Sequence, residues 1–379
     1  MARTTKTAFG LTLSAQYCKF VPKYKQFMGN KEKGKSKRGI IILAALAAIA
    51  ATAYFGCTMG YKYYSVKMLK LSTDATAYIY VTPQDNAASI MGKIQEAAPG
   101  ANTDGFAALA RHNNFDSRKR SGKYAIKDGD TMSDIYNRIV SRQQTPVRVT
   151  IPATRDIYQA IGTISNQLMV DSAELVRYTH PVAISCFGVE EAAIPAFFIP
   201  DTYEVYWDIT AEDFFEKLSG WNRKFWNDER KAKAKAAGLT PAQVSTLASI
   251  VDEETANFAE MPIVAGLYIN RLKRGMLLQA DPTVKFALGD PTRKRILNKD
   301  LEVNSPYNTY KHKGLPPGPI RIPTKQAIES VLNYTKHDYL YMCAKEDFSG
   351  THNFAKTLNQ HSTNAKKYQQ ALNKLNIKK

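Results

Sequence analysis

Cysteine is scarce. Four residues in 379, Cys18, Cys57, Cys186 and Cys343, cannot staple a small secreted scaffold. Metal and nucleophile signatures are missing too. The chain holds no H-E-x-x-H, no C-x-x-C and no G-x-S-x-G, and its six histidines (His112, His180, His312, His337, His352, His361) stand singly. That pattern argues against a zinc site and against a serine-hydrolase elbow. Acidic residues are few as well, 34 against 52 Lys and Arg, for a net charge of +18. So large an excess suggests a nucleic-acid partner, but its distribution excludes one. Residues 1–38 hold +9 and residues 366–379 hold +5, which leaves +4 over the 327 residues between them. No basic domain remains to neutralise a phosphate backbone.

Long apolar runs are equally rare, and there is one. Residues 39–61 (GIIILAALAAIAATAYFGCTMGY) carry no charge and span about 35 Å as a helix, enough for a hydrocarbon core of about 30 Å. Lys35, Lys37 and Arg38 precede the run. The positive-inside rule therefore keeps the N-terminus in the cytoplasm and sends residues 62–379 across the inner (cytoplasmic) membrane, as a single-pass protein. A cleaved signal peptide is the other reading, but the 38-residue basic lead is long for one, and Tyr54-Phe55-Gly56 before Cys57 is a poor cleavage site. On this topology Cys18 is cytoplasmic, Cys57 lies in the span, and Cys186 and Cys343 either pair or are simply buried.

Beyond the span the chain reads as α+β. Three stretches alternate strand, polar turn and helix: Tyr78-Ile79-Tyr80-Val81 with a helix through Ile90, Tyr124-Ala125-Ile126 with one through Ile139, and Val147-Arg148-Val149-Thr150-Ile151 with one through Ile161. Alternating Tyr, Ile and Val suit half-buried strands, and Gly129 with the Thr and Asp residues supplies turn and cap chemistry. The middle stretch, YAIKDGDTMSDIYNRI (124–139), resembles the first half of a LysM module, a small fold that binds the glycan strands of peptidoglycan. Any strand-turn-helix unit with an Asp-Gly turn is the plainer reading. The expected division is a basic tail (1–38), the span (39–61), a LysM-like βα region (62–184), a connector (185–239) and a last domain of helices on a small sheet (240–379). In the connector, FFIPDTYEVYWD (197–208) is aromatic and Pro-punctuated. The spacing predicts one amphipathic helix over 211–237, ending near Gly238 and serving as a rigid arm.

Chemistry concentrates after residue 240. Thr240-Pro241-Ala242-Gln243 predicts an N-cap, a Pro at the first helical position and a near capping box. In the helix that follows, Glu254 falls in the middle of an apolar stripe with Leu247, Ile250, Val251 and Phe258. Glu253 lies about 100° round, with Thr246, Ser249 and Asn257, and reads as exposed. A carboxyl on a core-facing stripe is costly to ionise, so its pKa rises and it becomes a proton donor near neutral pH, as a glycosidic general acid must be. The alternative is that Glu254 pairs with Arg271 or Lys273 of the next helix (262–274), or snorkels to solvent. Rigid polar loops follow: LLQADPTV (277–284), SPYNTY (305–310) and GLPPGPI (314–320). A further segment, GTHNFAKTLNQH (350–361), comes after a strand at 339–342. Gln279, Asp281, Thr283, Tyr307, Asn308, Thr309, Tyr310, Pro316, Gly318, His352 and Asn353 are the candidate sugar-binding residues. Plain turns are the competing reading of these loops, and His352 reads as a hydrogen-bonding wall residue.

The runs ASIVDEETANFAEMPIVAGLYINRL, QADPTV, SPYNTY, GLPPGPI and GTHNFAKTLNQHSTNAKKY, in this order and spacing, resemble the YceG-like family of membrane-anchored endolytic murein transglycosylases. The likeness is close over 240–370 and looser before it. It implies that Glu254, the acid immediately before Thr255 in I-V-x-x-E-T, is the catalytic residue, which the helical wheel selects as well. Glu253 stands where relatives commonly carry a basic residue, and Arg293-Lys294-Arg295 falls in a variable region with no implied role. By the resemblance the enzyme cleaves the β-1,4 bond from MurNAc to GlcNAc within nascent peptidoglycan strands, leaves 1,6-anhydroMurNAc ends and so terminates elongation. It needs no cofactor or metal, and association with peptidoglycan synthases is expected. Asp281 either holds a sugar or orients Glu254. A hydrolytic muramidase and a non-catalytic, membrane-anchored wall-binding scaffold are the competing functions.

Overall fold

The computed structural model describes residues 36–290, 293 and 296–374. Most of the basic tail, Cys18, Lys294 and Arg295 lie outside the described residues. Helix α1 (Ser36–Lys67) is a single run of 32 residues. Its stretch Gly39–Lys67 is long and apolar enough to cross a membrane, and none of its most apolar window is buried against protein. The helix does not end where the apolar run ends. Its last turns dock on the unit that follows: Tyr61 donates to Asp104 (2.8 Å) and Lys67 to Ser133 (3.1 Å). Gly105 approaches the Ser65 carbonyl so closely that a Cβ there would sit 2.3 Å from it.

That first unit pairs β1 (Ala77–Val81) antiparallel with β2 (Gly122–Ile126), with Ile79 opposite Tyr124. Between the strands run α2 (Ala87–Ala97) and α3 (Asp104–His112), and α4 (Met132–Val140) follows. Reciprocal capping boxes start α2 (Asn86 with Ser89) and α4 (Thr131 with Asp134). Ile79, Val81, Ile90, Ile94, Phe106, Tyr124 and Ile135 form the core. The strand-turn-helix of 124–139 is present, but β2 pairs back to β1 rather than to a strand after α4.

The second unit pairs β3 (Val147–Ile151) antiparallel with β4 (Asp201–Val205). Helices α5 (Ile157–Ser165), α6 (Ser172–Arg177) and α7 (Pro181–Ser185) lie between them, and α8 (Ala211–Phe225) follows. The run 211–237 is not the one helix its spacing predicts. It breaks at Trp226, and α9 (Asp228–Ala237) restarts on Asn227, whose side chain accepts from the Arg230 N–H (2.9 Å). Neither piece stands free as an arm: Phe214, Phe215 and Leu218 fill the second core, while Trp226, Ala234 and Ala237 belong to the third.

The third unit is helical. Thr240 and Gln243 form the expected capping box, with Pro241 at the first position, and α10 (Pro241–Glu254) follows; such a cap stabilises by about 1 kcal/mol. Around α10 pack α11 (Met261–Lys273) and α13 (Lys325–Leu332), with the short α12 (Asp281–Ala287) at one end. The hairpin β5 (Tyr341–Ala344) and β6 (His352–Ala355) begins two residues later than its predicted strand, and α14 (Leu358–Lys374) is the last element among the described residues. Mixed helices with small sheets are thus the architecture, in three two-stranded ladders among the described residues. Cys57, Cys186 and Cys343 are free thiols.

Candidate active site

Glu254 is the last residue of α10, not a residue in its middle. Thr255 turns extended (φ −146°, ψ 135°) while its N–H still reaches the Val251 carbonyl (3.2 Å). The Thr255 hydroxyl then accepts from the Asn257 N–H (3.0 Å). Phe258, expected to extend the apolar stripe, is 63% exposed because the helix has ended before it. The Glu254 carboxyl is nevertheless buried, for another reason: α11 packs against α10 and brings Tyr268 to it.

Tyr268 of α11, 2% exposed, donates its hydroxyl to Glu254 Oε1 at 2.6 Å. Burial drives the Glu254 pKa up to about 7 against an ordinary 4.5; Tyr268 works in the opposite direction, the negative Asp281 and Glu253 push it up and Arg271 pulls it down. The C-terminal end of α10, with its unpaired carbonyls, also disfavours a negative charge there. As a whole residue Glu254 is half-buried, and burial of its carboxyl holds the proton. Arg271 is not its ion-pair partner. That guanidinium is buried and spends its donors on the carbonyls of Leu340 (2.6 Å), Leu278 (2.8 Å) and Leu277 (3.3 Å), and on Gln279 Oε1 (3.3 Å). Lys273 points to Tyr334 instead.

Glu253 is not exposed, contrary to the helical wheel. Its carboxylate, with a side chain 8% accessible, is held by Arg155 from the β3–α5 loop and by Arg321 (2.8 Å). Next to it Asp252 accepts from the Thr324 N–H (2.8 Å) and hydroxyl (2.9 Å). The polar face of α10 therefore meets the second unit and the loop before α13, and the charge of Glu253 is compensated.

The loops divide into residues that build and residues that face outward. Thr283 and Thr309 are buried and bond to each other (2.8 Å); Thr283 also donates to the Ala280 carbonyl, and Thr309 accepts from the Ala280 N–H. Buried Asn308 ties the carbonyls of Leu301 and Val303 (2.8 and 2.9 Å). Pro316 is buried, and Gly318 is pressed so closely on the Ala192 carbonyl that a Cβ would lie 1.7 Å from it. These five shape the loops, and their own polar atoms are turned inward. Gln279 (φ +49°) and Asp281 are exposed and Tyr310 is half-buried; Asp281 and Tyr310 are near enough to Glu254 to interact with its charge. Tyr310 donates to Asp281 (2.5 Å), and the negative charges of Asp281 and Glu254 raise the Tyr310 pKa further above what burial does. Tyr307 packs on Phe286 (4.7 Å). His352 and Asn353 lie on β6 with partners of their own: the His352 N–H and ring bind Glu260 (2.8 and 3.0 Å), which also accepts from the Thr255 hydroxyl (3.5 Å), and Asn353 binds Glu346 (2.8 Å).

A groove passes this group. A cavity of about 420 Å³ is lined by Arg155, Glu253, Pro282, Phe286 and Ile320, and through Ile157, Pro195 and Phe286 it joins one of about 1080 Å³ that also touches Tyr158, His180 and Tyr307. Glu254 itself lines neither cavity; its chain neighbour Glu253 lines the smaller one, as does Pro282, the residue after Asp281. Sequence reasoning missed Tyr268, Arg155, Arg321 and Glu260. Nothing local marks them, because each reaches its partner from another element. Among the described residues no three His, Cys, Asp or Glu side chains converge as metal ligands would.

The chain matches the model of the YceG-like family over residues 79–367. An endolytic murein transglycosylase of Bacillus subtilis (strain 168) is 42% identical over 138 residues, 36% of this chain and 38% of that one. One from Streptococcus pneumoniae serotype 2 (strain D39) is 27% identical over 341 residues, 80% of this chain and 60% of that one. The chain thus spans between about two fifths and three fifths of the length of these relatives. A crystal structure of a yceG-like protein from Listeria monocytogenes, 24% identical, superposes with a TM-score of 0.50 over 77% of this chain and 99% of that one, a likeness of fold. With the family model covering most of its length, the chain belongs to the YceG-like family.

Proposed function

We propose that this protein is a membrane-anchored endolytic lytic transglycosylase of peptidoglycan, with Glu254 as its acid and base. The observation that carries the reading is a single half-covered carboxyl whose pKa is raised to about 7, with a tyrosine hydroxyl fixed on one of its oxygens. In the first step the Glu254 proton passes to the oxygen of the β-1,4 bond, the bond from MurNAc C1 breaks, and GlcNAc leaves with its 4-hydroxyl restored. In the second the Glu254 carboxylate takes the proton of the MurNAc C6 hydroxyl, whose oxygen closes on C1 to give the 1,6-anhydro ring. No water is consumed: the first proton stays on the GlcNAc 4-hydroxyl, and Glu254 is reprotonated by the one from the C6 hydroxyl. The Tyr268 hydroxyl stabilises the carboxylate between the steps. Asp281, steadied by Tyr310, orients the sugar beside the acid, and Gln279 and Tyr307 offer further contacts. The names of the relatives and the family match support the activity.

In this reading α1 is an uncleaved anchor with the N-terminus in the cytoplasm, the body works outside on nascent strands near the membrane and the synthases that make them, and the segment around 124–139 grips glycan in a LysM-like manner. The test is digestion of purified sacculi by the full chain in detergent, followed by mass analysis. Fragments one water lighter than hydrolysis products are expected; reducing ends would make the protein a muramidase instead. Glu254→Gln should abolish cleavage while the fold and sacculus binding persist. Undiminished cleavage by that variant would falsify the assignment, and absence of cleavage by the unaltered chain would leave the scaffold.

A further inference from the structure

The β1–β2 ladder buries one face, Ile79, Val81, Tyr124 and Ile126, in the first core. Its other face is aromatic and open. Tyr78 and Tyr80 are 43% and 41% exposed, and strand alternation sets them on the same side, about 7 Å apart. Lys123, directly opposite Tyr80 across the ladder, holds its ammonium 4.1 Å from the centre of the Tyr78 ring and 5.9 Å from that of Tyr80. Tyr80 meets Trp207 edge to face, 4.9 Å between centres. Trp207 is itself well held. Its carbonyl accepts from the Met169 N–H (2.9 Å), and Asp208 beside it is gripped by Ser121, Arg142 and Gln144. Three rings and one cation thus make a continuous surface at the seam between the first and second units.

Two properties of this surface point to a ligand. Rigid rings with two torsions each present apolar faces at little entropic cost, which suits the C–H faces of pyranose rings. The cation above them has no counter-ion: among the described residues no carboxylate pairs with Lys123. A neutral apolar partner would leave that ammonium desolvated and unpaired, at considerable cost, whereas a sugar chain bearing carboxylates satisfies rings and charge together. A cross-strand cation–aromatic cluster also stabilises a sheet, but that role does not require Trp207 from the turn after β4.

We propose that Tyr78, Tyr80, Trp207 and Lys123 form a second glycan-binding surface, outside the core that holds Glu254, which stacks the pyranose rings of a murein strand and pairs Lys123 with a carboxylate of its lactyl groups or peptide stems. The inference rests on the proposed function in taking murein as the ligand. A strand held at this face and at Glu254 together is retained by avidity without any added contact at the cleavage point.

The experiment is co-sedimentation of the full chain, in detergent micelles, with purified sacculi. The chain carries Glu254→Gln so that strands stay intact. Replacing both tyrosines by alanine (Tyr78→Ala with Tyr80→Ala) should weaken binding roughly tenfold, as expected from the loss of two stacking surfaces. The double phenylalanine variant, which keeps the rings, should bind like its parent. Lys123→Glu should weaken binding and remove part of its salt dependence. Circular dichroism checks the fold, and if the alanine pair does not fold, Lys123→Glu decides alone. Unchanged binding by the alanine pair or by Lys123→Glu, or an equal loss in the phenylalanine pair, overturns the proposal. Failure of the Glu254→Gln parent to bind sacculi overturns the proposed function as well, so the two failures are distinguishable.

Discussion

Replacing Glu254 by glutamine should stabilise the protein, and only on the alkaline side. In the unfolded chain the carboxyl titrates near 4.5 and in the folded one near 7. Between those values the folded state binds the proton more tightly, so stability is greatest below about pH 4.5 and falls as pH rises through about 7. A difference of about 2.5 pKa units corresponds to roughly 3 kcal/mol lost by the time both forms are ionised. Glutamine has nearly the same shape, never ionises, and can still accept from Tyr268 through its amide oxygen. The variant and the unaltered chain should therefore melt together at pH 4.5, while at pH 8 the variant melts roughly 5 °C higher for a chain of this size. Differential scanning calorimetry at the two pH values reads the difference, in which all other titrating groups cancel. A shift of equal size at both pH values, or a variant less stable at pH 8, would show that burial does not destabilise the ionised Glu254 and would remove the basis for its role as an acid.

Cleavage begins from protonated Glu254, so kcat/KM should fall as pH rises through about 7; Tyr268→Phe removes the bond that favours the carboxylate, moves that limb to higher pH and lowers kcat roughly tenfold, and an unmoved limb would deny Tyr268 its place beside the acid. Gly318→Ala forces a methyl onto the Ala192 carbonyl and should cost about 1–3 kcal/mol, measured as a lower melting temperature, while Gly289→Ala on an open surface, although at φ +65°, should lose only about 1 kcal/mol.

Short-range chemistry was legible in the amino-acid order. The capping box at Thr240, the three strand-turn-helix stretches and the long apolar run all depend on residues within a few positions of one another, and the structure contains each of them. The burial of the Glu254 carboxyl was legible too, although through a stripe that the chain abandons at Thr255. What reaches over it is Tyr268, fourteen residues on, while Asp281 of a still later element acts on it through charge. Glu253 shows the limit most plainly. A helical wheel knows only its own helix and leaves that face to solvent, yet Arg155 arrives from 98 residues before and Arg321 from 68 after. Capping and turn preferences are settled by neighbours along the backbone, whereas burial and charge compensation depend on which distant segments the packed cores bring against a side chain, and that was decided only by the tertiary fold.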